Sequence, residues 1–185
     1  MITKRILLRQ WEIQDFVPFA EINSNPDVMK HFPKTLNQIE SDCLADKIKL
    51  FIKNNGWGLW AVELMSTGEF IGFVGLNKPK ENLPFAPCVE VGWRLANKHW
   101  GQGYATEAAK RALNYAFSTL GLEEVVAFTT PNNIGSLTVM NKIGMTYSGL
   151  NFMHPDIDQK NRLCEHVLYK ITNKEWKIYD EFTRK

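Results

Sequence analysis

Two glycines separated by one residue, Gly101 and Gly103, stand immediately before a strongly patterned helical stretch in "HWGQGYATEAAKRALNYAF". A helix N-terminus offers backbone N–H groups without intrahelical acceptors, together with a partial positive charge, and so suits an anion such as a phosphate. Glycine lets the backbone take a positive φ and lets a ligand approach without a Cβ in the way. The pair alone fits an anion-binding loop or an ordinary turn at a helix start equally well.

Two common phosphate-binding loops do not fit these residues. A Walker loop ends in Gly-Lys-Ser/Thr, a sequence that does not follow either glycine. The dinucleotide fingerprint requires Gly or Ala three residues after its second glycine, where this chain has Thr106. That fingerprint also belongs in a parallel βαβ unit, whereas the strands before the glycines are typical of an antiparallel meander.

The thiols and imidazoles do not suggest a metal centre. Cys43, Cys88 and Cys164 are far apart, and neither they nor the four histidines have metal-ligand spacing, so we predict no metal. An acyl-cysteine at Cys88 is disfavoured because no histidine is placed near it. The odd number of cysteines and an N-terminus without a signal-peptide apolar core indicate a reducing, cytoplasmic location.

The elements that would position these residues follow from hydrophobic periodicity. From Ala105 to Leu120 the apolar residues recur in steps of three and four over four turns, which predicts a helix. Strands are predicted at 4–9, 56–64, 69–77, 88–96, 122–130, 145–152 and 163–172, and helices at 12–25, 37–55, 104–120, 132–143 and 173–183. This order predicts the α+β class, with a mixed and mostly antiparallel central sheet flanked by helices, in a single domain over residues 1–185.

Three stretches carry a family resemblance. Trp100 to Ala105 resembles the pyrophosphate loop of the GNAT superfamily of acyl-CoA N-acetyltransferases, usually Gln/Arg-x-x-Gly-x-Gly/Ala, although Trp100 departs from its first position. The stretch "NNIGSLTVMNKIGM" is similar to the second superfamily motif, with Asn133, Ser136, Lys142, Gly144 and Met145 in its positions. Residues 5–33 look like the opening strand and helix of the RimJ/RimL-like branch.

The resemblance implies a GNAT-like fold with splayed central strands and acetyl-CoA as co-substrate, without a metal. A primary amine would attack the thioester directly within a ternary complex. Backbone N–H groups of the glycine loop would hold the pyrophosphate, and main-chain groups of the preceding strand would bond to pantetheine by strand addition. The cofactor-binding residues implied in this way are Trp93, Arg94, Leu95, Gly101, Gln102, Gly103, Tyr104, Ala105, Thr106, Asn133 and Ser136.

The same resemblance implies two catalytic roles. Glu90 is the candidate general base, and strand alternation places it opposite the apolar set that includes Val91, so that it can face a cleft. The alternative is an ordinary surface or ion-paired strand residue. Ser136 is the candidate proton donor to the CoA thiolate, because Met140 occupies the position of the usual tyrosine; it can also be only a CoA contact or a helix residue bonded locally. Asn133 can equally be an N-cap.

Composition limits the partners. The chain has 185 residues and a net charge of +2, which gives no reason to expect nucleic acid or a membrane. The acceptor is predicted to be a small-molecule amine or a protein N-terminus, and a homodimer is left open. Two alternatives remain at this stage: a non-catalytic acyl-CoA-binding protein of the same fold, and a phosphate-binding module unrelated to CoA.

Overall fold

A computed structural model of the chain describes residues 1–183 and confirms the predicted fold class. The strands are β1 (Ile6–Arg9), β2 (Leu59–Leu64), β3 (Phe70–Asn77), β4 (Glu90–Leu95), β5 (Glu124–Thr129), β6 (Thr146–Met153) and β7 (Glu165–Thr172). The helices are α1 (Phe16–Ser24), α2 (Gln38–Asn55), α3 (Tyr104–Ser118), α4 (Ile134–Lys142) and α5 (Asn173–Thr183). The predicted strand over 56–64 begins only at Leu59, because Gly56 takes a φ of 77° and closes α2 by donating its N–H to the carbonyl of Ile52.

The seven strands form a mixed sheet in the order β1-β2-β3-β4-β5-β7-β6, flanked by the helices. Strand β4 is parallel to β5, with Glu90 opposite Val126, whereas the pairs β1–β2, β2–β3, β5–β7 and β6–β7 are antiparallel. The predicted mixed and mostly antiparallel character is therefore confirmed. The splaying of the central strands stays a prediction.

Internal contacts group the chain into two compact units. The first contains residues 1–76 and 92–111, and the second contains residues 77–91 and the chain from 112 onward. The chain passes from one unit to the other at the last residue of β3, within β4 and within α3. The assignment of the whole chain to one domain remains a prediction.

Aromatic packing defines the core of the first unit. Trp11 is almost fully buried, and its ring centroid lies 4.8 Å from that of Phe19 and 5.4 Å from that of Phe70. Its indole Nε1 donates a hydrogen bond of 2.8 Å to the carbonyl oxygen of Leu59, which satisfies the one polar atom of the side chain. The first helix and the β2–β3 hairpin are thereby packed around one anchoring residue.

Small residues on α3 and a close contact at α4 define the core of the second unit. Ala112, Leu113 and Ala116 are fully inaccessible to solvent, as the periodicity predicted. Gly144 follows α4 with a φ of 83°, and a Cβ there would lie 2.8 Å from the ring of Tyr179. Glycine is therefore required at this motif position for both backbone conformation and space.

Candidate functional site

The glycine loop presents backbone donors in the way its sequence predicts. Gly101 and Gly103 have φ angles of 75° and 84°, which residues with a Cβ rarely adopt. Helix α3 begins directly afterwards, and its first hydrogen bond joins the Glu107 N–H to the Gly103 carbonyl at 3.0 Å. The N–H groups of Tyr104, Ala105 and Thr106 therefore precede the helical ladder and lack intrahelical acceptors. Such a row of donors at a positive helix end suits an anion.

Trp100 has a defined structural function at the start of this loop. Its indole Nε1 donates a hydrogen bond of 2.9 Å to the carbonyl oxygen of Leu95, the last residue of β4. Its backbone N–H bonds to the carbonyl of Asn97 and closes a short 3₁₀ turn over Asn97–His99. The indole therefore fixes the beginning of the loop to the end of the strand, which gives a physical reason for its departure from the Gln/Arg form.

A hydrogen-bond network that the sequence did not predict connects the segment before β1 to the glycine loop. The Arg5 guanidinium donates from Nη1 to the Gln102 carbonyl at 2.9 Å and from Nε to Glu107 Oε2 at 2.7 Å. Its Cζ lies 4.6 Å from the centroid of the Tyr104 ring, a cation–π contact. Glu107 Oε1 accepts hydrogen bonds from Thr3 Oγ1 at 2.6 Å and from the Arg5 N–H at 2.9 Å.

These contacts explain the electrostatics of Glu107. Burial alone would raise the pKa of its carboxyl, but the hydrogen bonds from Thr3 and Arg5 hold that pKa below its usual value. Glu107 is therefore a charged anchor for Arg5. The sequence offers only a weak signal for this pair, an acidic residue in the first helical turn, because the two partners are 102 positions apart.

Glu90, the candidate base, lies at the start of β4 in the second unit and is half-buried. Its Oε2 accepts a long hydrogen bond of 3.4 Å from Asn77 Nδ2. Burial raises the pKa of the carboxyl to about 7, and the Asn77 hydrogen bond acts in the opposite direction. At neutral pH the carboxyl therefore exists in both protonation states, as a group that takes up and releases protons must.

Glu90 lines a cavity of about 260 Å³. Leu83 and Phe128 supply apolar wall, and the His154 ring lies 6.0 Å from the ring of Phe128. Asp156, also on this cavity, accepts from Lys80 at 2.8 Å, so its charge is already paired within the unit. The cavity thus combines apolar surface with one buried titratable carboxyl group.

Asn133 is confirmed as the N-cap of α4. Its Oδ1 accepts the N–H of Ser136 at 3.2 Å, and its Nδ2 donates to Thr129 Oγ1 at 2.8 Å, which links the end of β5 to the start of the helix. Ser136 is half-buried, and its hydroxyl makes no hydrogen bond within residues 1–183. Met140 is buried at the position of the usual tyrosine. The Ser136 hydroxyl is therefore free to bond to a ligand.

The cysteine environments argue against a covalent acyl-thiol. Burial, followed by the charge of Glu90, raises the pKa of Cys88 to about 11, so it is a protonated and weakly nucleophilic thiol at neutral pH.

Within residues 1–183 no group of three or more His, Cys, Asp or Glu side chains is arranged to hold a metal ion. In the same range, none of the helices combines the length and apolar character needed to cross a membrane.

The burial of Glu90 predicts a pH-dependent stability. Its folded-state pKa of about 7 exceeds the ordinary value of 4.5, so the folded protein binds the proton more tightly than the unfolded chain. The contribution of Glu90 to the free energy of unfolding therefore falls as the pH rises through about 7, by about 2 kcal/mol between roughly pH 5.5 and pH 8. Urea unfolding of the wild type and of Glu90→Gln should give curves that diverge with pH, the variant being the more stable at high pH. The exposed Glu81→Gln should keep the wild-type pH dependence; parallel curves for Glu90→Gln would contradict this account.

The predicted site residues are divided between the units. The loop residues from Gly101 to Thr106 and the strand residues from Trp93 to Leu95 belong to the first unit. Glu90, Asn133 and Ser136 belong to the second. The first unit contains a helix start with backbone N–H groups that lack intrahelical acceptors, and the second contains a buried carboxyl group beside a cavity.

Comparison with known proteins defines the class. The family described as "Acetyltransferase (GNAT) domain" matches residues 5–146. The chain is 32% identical over 177 residues to an uncharacterized N-acetyltransferase, YnaD, of Bacillus subtilis, covering 94% of this chain and 97% of the relative. It is 36% identical over 125 residues to an FsC-acetyl coenzyme A-N(2)-transacetylase of Aspergillus fumigatus, covering 65% of this chain and 52% of that protein.

A solved structure agrees with these matches. The acetyltransferase of the GNAT family from Bacillus anthracis superimposes with a TM-score of 0.78 at 28% identity, covering 94% of this chain and 98% of its own. The fold is that of an acetyltransferase. The chain belongs to the GNAT family and is an acetyl-CoA-dependent N-acetyltransferase.

Proposed function

We propose that this protein transfers the acetyl group of acetyl-CoA to a primary amine by direct attack within a ternary complex. The observation that carries the proposal is the Glu90 carboxyl group, which lines a cavity and has a pKa of about 7. An acceptor amine is an ammonium ion at neutral pH, and it must lose a proton before its nitrogen can attack a thioester. A base with a pKa near the operating pH is suited to accept that proton.

The electron movements of the proposed reaction are simple. Glu90 takes a proton from the ammonium ion, directly or through a water, and the freed lone pair attacks the thioester carbonyl carbon. The C–S bond then breaks, and the CoA thiolate receives a proton, for which we propose the free Ser136 hydroxyl as donor. The second proton of the attacking nitrogen passes to the resulting serine alkoxide, directly or through a water, which leaves a neutral amide, and Glu90 releases its proton to solvent. No covalent enzyme intermediate is required, which accords with the raised pKa of the Cys88 thiol.

The proposed cofactor contacts are carried largely by the backbone. The N–H groups from Gln102 to Thr106 would hold the pyrophosphate, supported by the partial positive charge of α3. Main-chain groups from Trp93 to Leu95 would bond to pantetheine. Asn133 would contact CoA while it also caps α4. The positive φ angles at Gly101 and Gly103, which only glycine adopts without strain, support a site in which backbone groups bind the cofactor.

The hydrogen bonds from Arg5 to Gln102 and Glu107, here called the Arg5 brace, predict that a substitution outside the glycine loop weakens CoA binding. Arg5→Ala removes the guanidinium that bonds to the Gln102 carbonyl and to Glu107, so the loop loses its support. We expect CoA to bind on the order of 10-fold more weakly, because one or two charge-assisted hydrogen bonds, which are partly exposed to solvent, are lost. Isothermal calorimetry with CoA measures this. Lys4→Ala removes the same charge from the neighbouring exposed residue and should bind CoA normally. If both variants lost affinity equally, the effect of Arg5 would be general charge attraction and not support of the loop.

Ser136→Ala tests the proposed proton donor. Removing the hydroxyl should lower kcat by about 100-fold, at the lower end for general acid–base groups, with CoA affinity changed by less than about 3-fold. The split between kcat and affinity, measured by thiol release and by calorimetry, separates a proton donor from a CoA contact. A change confined to affinity would assign Ser136 to cofactor binding alone.

A screen for the acceptor is the decisive test of the function. CoA thiol release is measured with acetyl-CoA across pools of amino acids, polyamines, aminoglycosides and peptides with free N-termini. Release with one class identifies the acceptor. Binding of CoA without release for any class would contradict the proposed reaction with these acceptors. Membership of the RimJ/RimL-like branch, a homodimer and a cytoplasmic location stay proposals.

A further inference from the structure

His154 places a hydrogen-bond donor on the cavity that Glu90 lines, within the second unit. The Nδ1 atom of its ring accepts the backbone N–H of Asp156 at 3.2 Å, so this nitrogen carries a lone pair and not a proton. Burial lowers the pKa of the imidazole below its ordinary value of 6.5, and the ring is therefore neutral at pH 7. The one proton of a neutral imidazole must then be on Nε2.

The Nε2–H of His154 is left without a protein acceptor. Nε2 makes no hydrogen bond within residues 1–183, and it is not fully enclosed. The three other donor side chains on the cavity each donate to a carboxylate: Asn77 to Glu90 at 3.4 Å, and Lys80 and Asn82 to Asp156 at 2.8 and 3.3 Å. His154 is therefore the donor of this cavity that remains for a ligand.

Packing holds the His154 ring in a fixed orientation. Its centroid lies 5.1 Å from that of the His166 ring, and 6.0 and 6.3 Å from those of Phe128 and Phe152. The backbone N–H of His154 donates to the carbonyl of Cys164 at 2.8 Å, which joins the residue after β6 to the residue before β7. A donor that is already oriented loses little conformational freedom when a ligand binds to it.

The neighbouring His166 has the opposite tautomer. Its Nδ1 lies 3.1 Å from the carbonyl oxygen of Cys164, and since a carbonyl only accepts, Nδ1 must carry the proton. His166 is not one of the residues that line the cavity. The two imidazoles are therefore in contact but differ in both tautomer and position relative to the cavity, which makes His166 a matched control for His154.

Two polar atoms of opposite character remain available on the cavity. Glu90 Oε1 makes no hydrogen bond in the described range 1–183 and is not fully enclosed, so it can accept from an ammonium group. The Nε2–H of His154 can only donate, so its ligand must offer an acceptor. An alkylammonium group has three N–H donors and no acceptor, and it can satisfy Glu90 but not His154. A ligand that satisfies both residues carries an amine and an oxygen.

We propose that the Nε2–H of His154 binds an oxygen atom of the acceptor, so that the acceptor is a small amine that also carries a hydroxyl, carbonyl or carboxylate oxygen. This assignment rests on the proposed function, because it takes Glu90 as the base for the acceptor amine. The cavity of about 260 Å³ is smaller than the sites of drug-sized ligands, about 300–1,000 Å³, which suits a small acceptor. Polyamines, whose protonated nitrogens only donate, are then poor acceptors.

The test compares amines that differ in one functional group. Aminobutanol has a hydroxyl where pentylamine has a methyl group and putrescine an ammonium group. Glycinamide and glycine, which carry a carbonyl and a carboxylate, are compared with isobutylamine. The wild type should acetylate at least one oxygen-bearing amine with kcat/KM about 10-fold or more above its alkylamine counterpart, and aminobutanol in preference to putrescine. Equal rates within every pair, or a preference for putrescine, would overturn the proposal.

Variants of His154 assign this preference to its N–H. His154→Phe keeps an aromatic ring but has no donor, so it should remove the preference through KM while the rates with alkylamines are unchanged. His154→Gln retains an N–H donor and should restore part of the preference, whereas His166→Phe should leave it intact. The thioester oxygen of acetyl-CoA is the other oxygen that this N–H can reach. In that case His154→Phe would lower kcat equally for both members of each pair, a result that would refute the assignment.

An NMR titration separates this site from the proposed reaction. In protein with isotope-labelled histidine, His154 should carry its proton on Nε2 and His166 on Nδ1. With CoA present, oxygen-bearing amines should shift the Nε2 resonance of His154 more than the matched alkylamines do, whether or not acetyl transfer occurs. Such shifts without release of the CoA thiol would support the binding site and contradict the proposed reaction. A proton on Nδ1 of His154, or equal shifts within every pair, would count decisively against the site.

Discussion

Glu90→Gln should lower kcat/KM at neutral pH by about 100-fold to 10,000-fold, the usual contribution of a general base, and leave CoA affinity unchanged. The amide keeps the shape of the side chain and can still accept from Asn77, but it cannot take a proton. In the wild type the rate should rise with pH through about 7, where Glu90 ionises, and this rise should be absent from the variant. Thiol release across the pH range, with the acceptor found by screening, provides the measurement.

Two companion variants make this result specific to Glu90. Glu81→Gln removes a carboxylate from the exposed loop between β3 and β4, so its pH profile should overlay that of the wild type. Asn77→Ala removes the hydrogen bond that lowers the pKa of Glu90, so its rising limb should move to higher pH. Unchanged turnover in Glu90→Gln would remove this carboxyl as the base. An unmoved limb in Asn77→Ala would assign the limb to another group.

Gly103→Val should weaken CoA binding by at least about 100-fold. A β-branched residue at a φ of 84° is strained, and relief of that strain rotates the adjoining peptide groups away from the pyrophosphate. Two lost charge-assisted hydrogen bonds together account for a change of this size. The Cβ itself would lie 3.4 Å from Arg5 Nη2, a tight but tolerable contact, so the effect arises mainly from the backbone. Calorimetric titration with CoA measures the loss.

Gly121→Val is the matched control for this substitution. Gly121 also has a positive φ, 65°, in the turn between α3 and β5, and a Cβ there would meet no atom within 4 Å. It should therefore carry similar backbone strain and a similar loss of thermal stability, with CoA affinity retained. Retained affinity in Gly103→Val would contradict the assignment of the pyrophosphate to this loop. Equal loss of affinity in both variants would indicate a general effect of destabilisation.

Sequence reasoning recovered the elements because their patterns are local. The spacing from Ala105 to Leu120 predicted α3, and Ala108, Ala109 and Ala112 are fully buried. Gly56 shows why the ends of elements were predicted less well. Its left-handed conformation ends α2 and makes the following strand begin later than periodicity predicts. Periodicity sets the type of an element, whereas the conformation of single residues sets where it stops.

The candidate site was only partly accessible from sequence, for a related reason. The two glycines act through their own backbone, and the Asn133 side chain caps an N–H only three positions away, so local spacing was enough to predict these features. Arg5 and Glu107 meet across 102 positions, and the pairing of Arg9 with two carboxylates is likewise set by the fold. The raised pKa of Glu90 depends on desolvation by packed neighbours, a quantity that no residue pattern records. Single residues were therefore predictable where chemistry is local, and their environments were not.

The hydrogen bonds between Arg5 and the glycine loop couple the segment before β1 thermodynamically to cofactor binding. If an intact Arg5–Glu107 network raises the affinity for CoA by some factor, bound CoA must stabilise that network by the same factor. Thr3 and Arg5, which contribute no atom to the loop backbone itself, would then be ordered most firmly while cofactor is bound. The segment that leads into β1 is thus linked reciprocally to cofactor occupancy, although the sequence gives it no motif of its own.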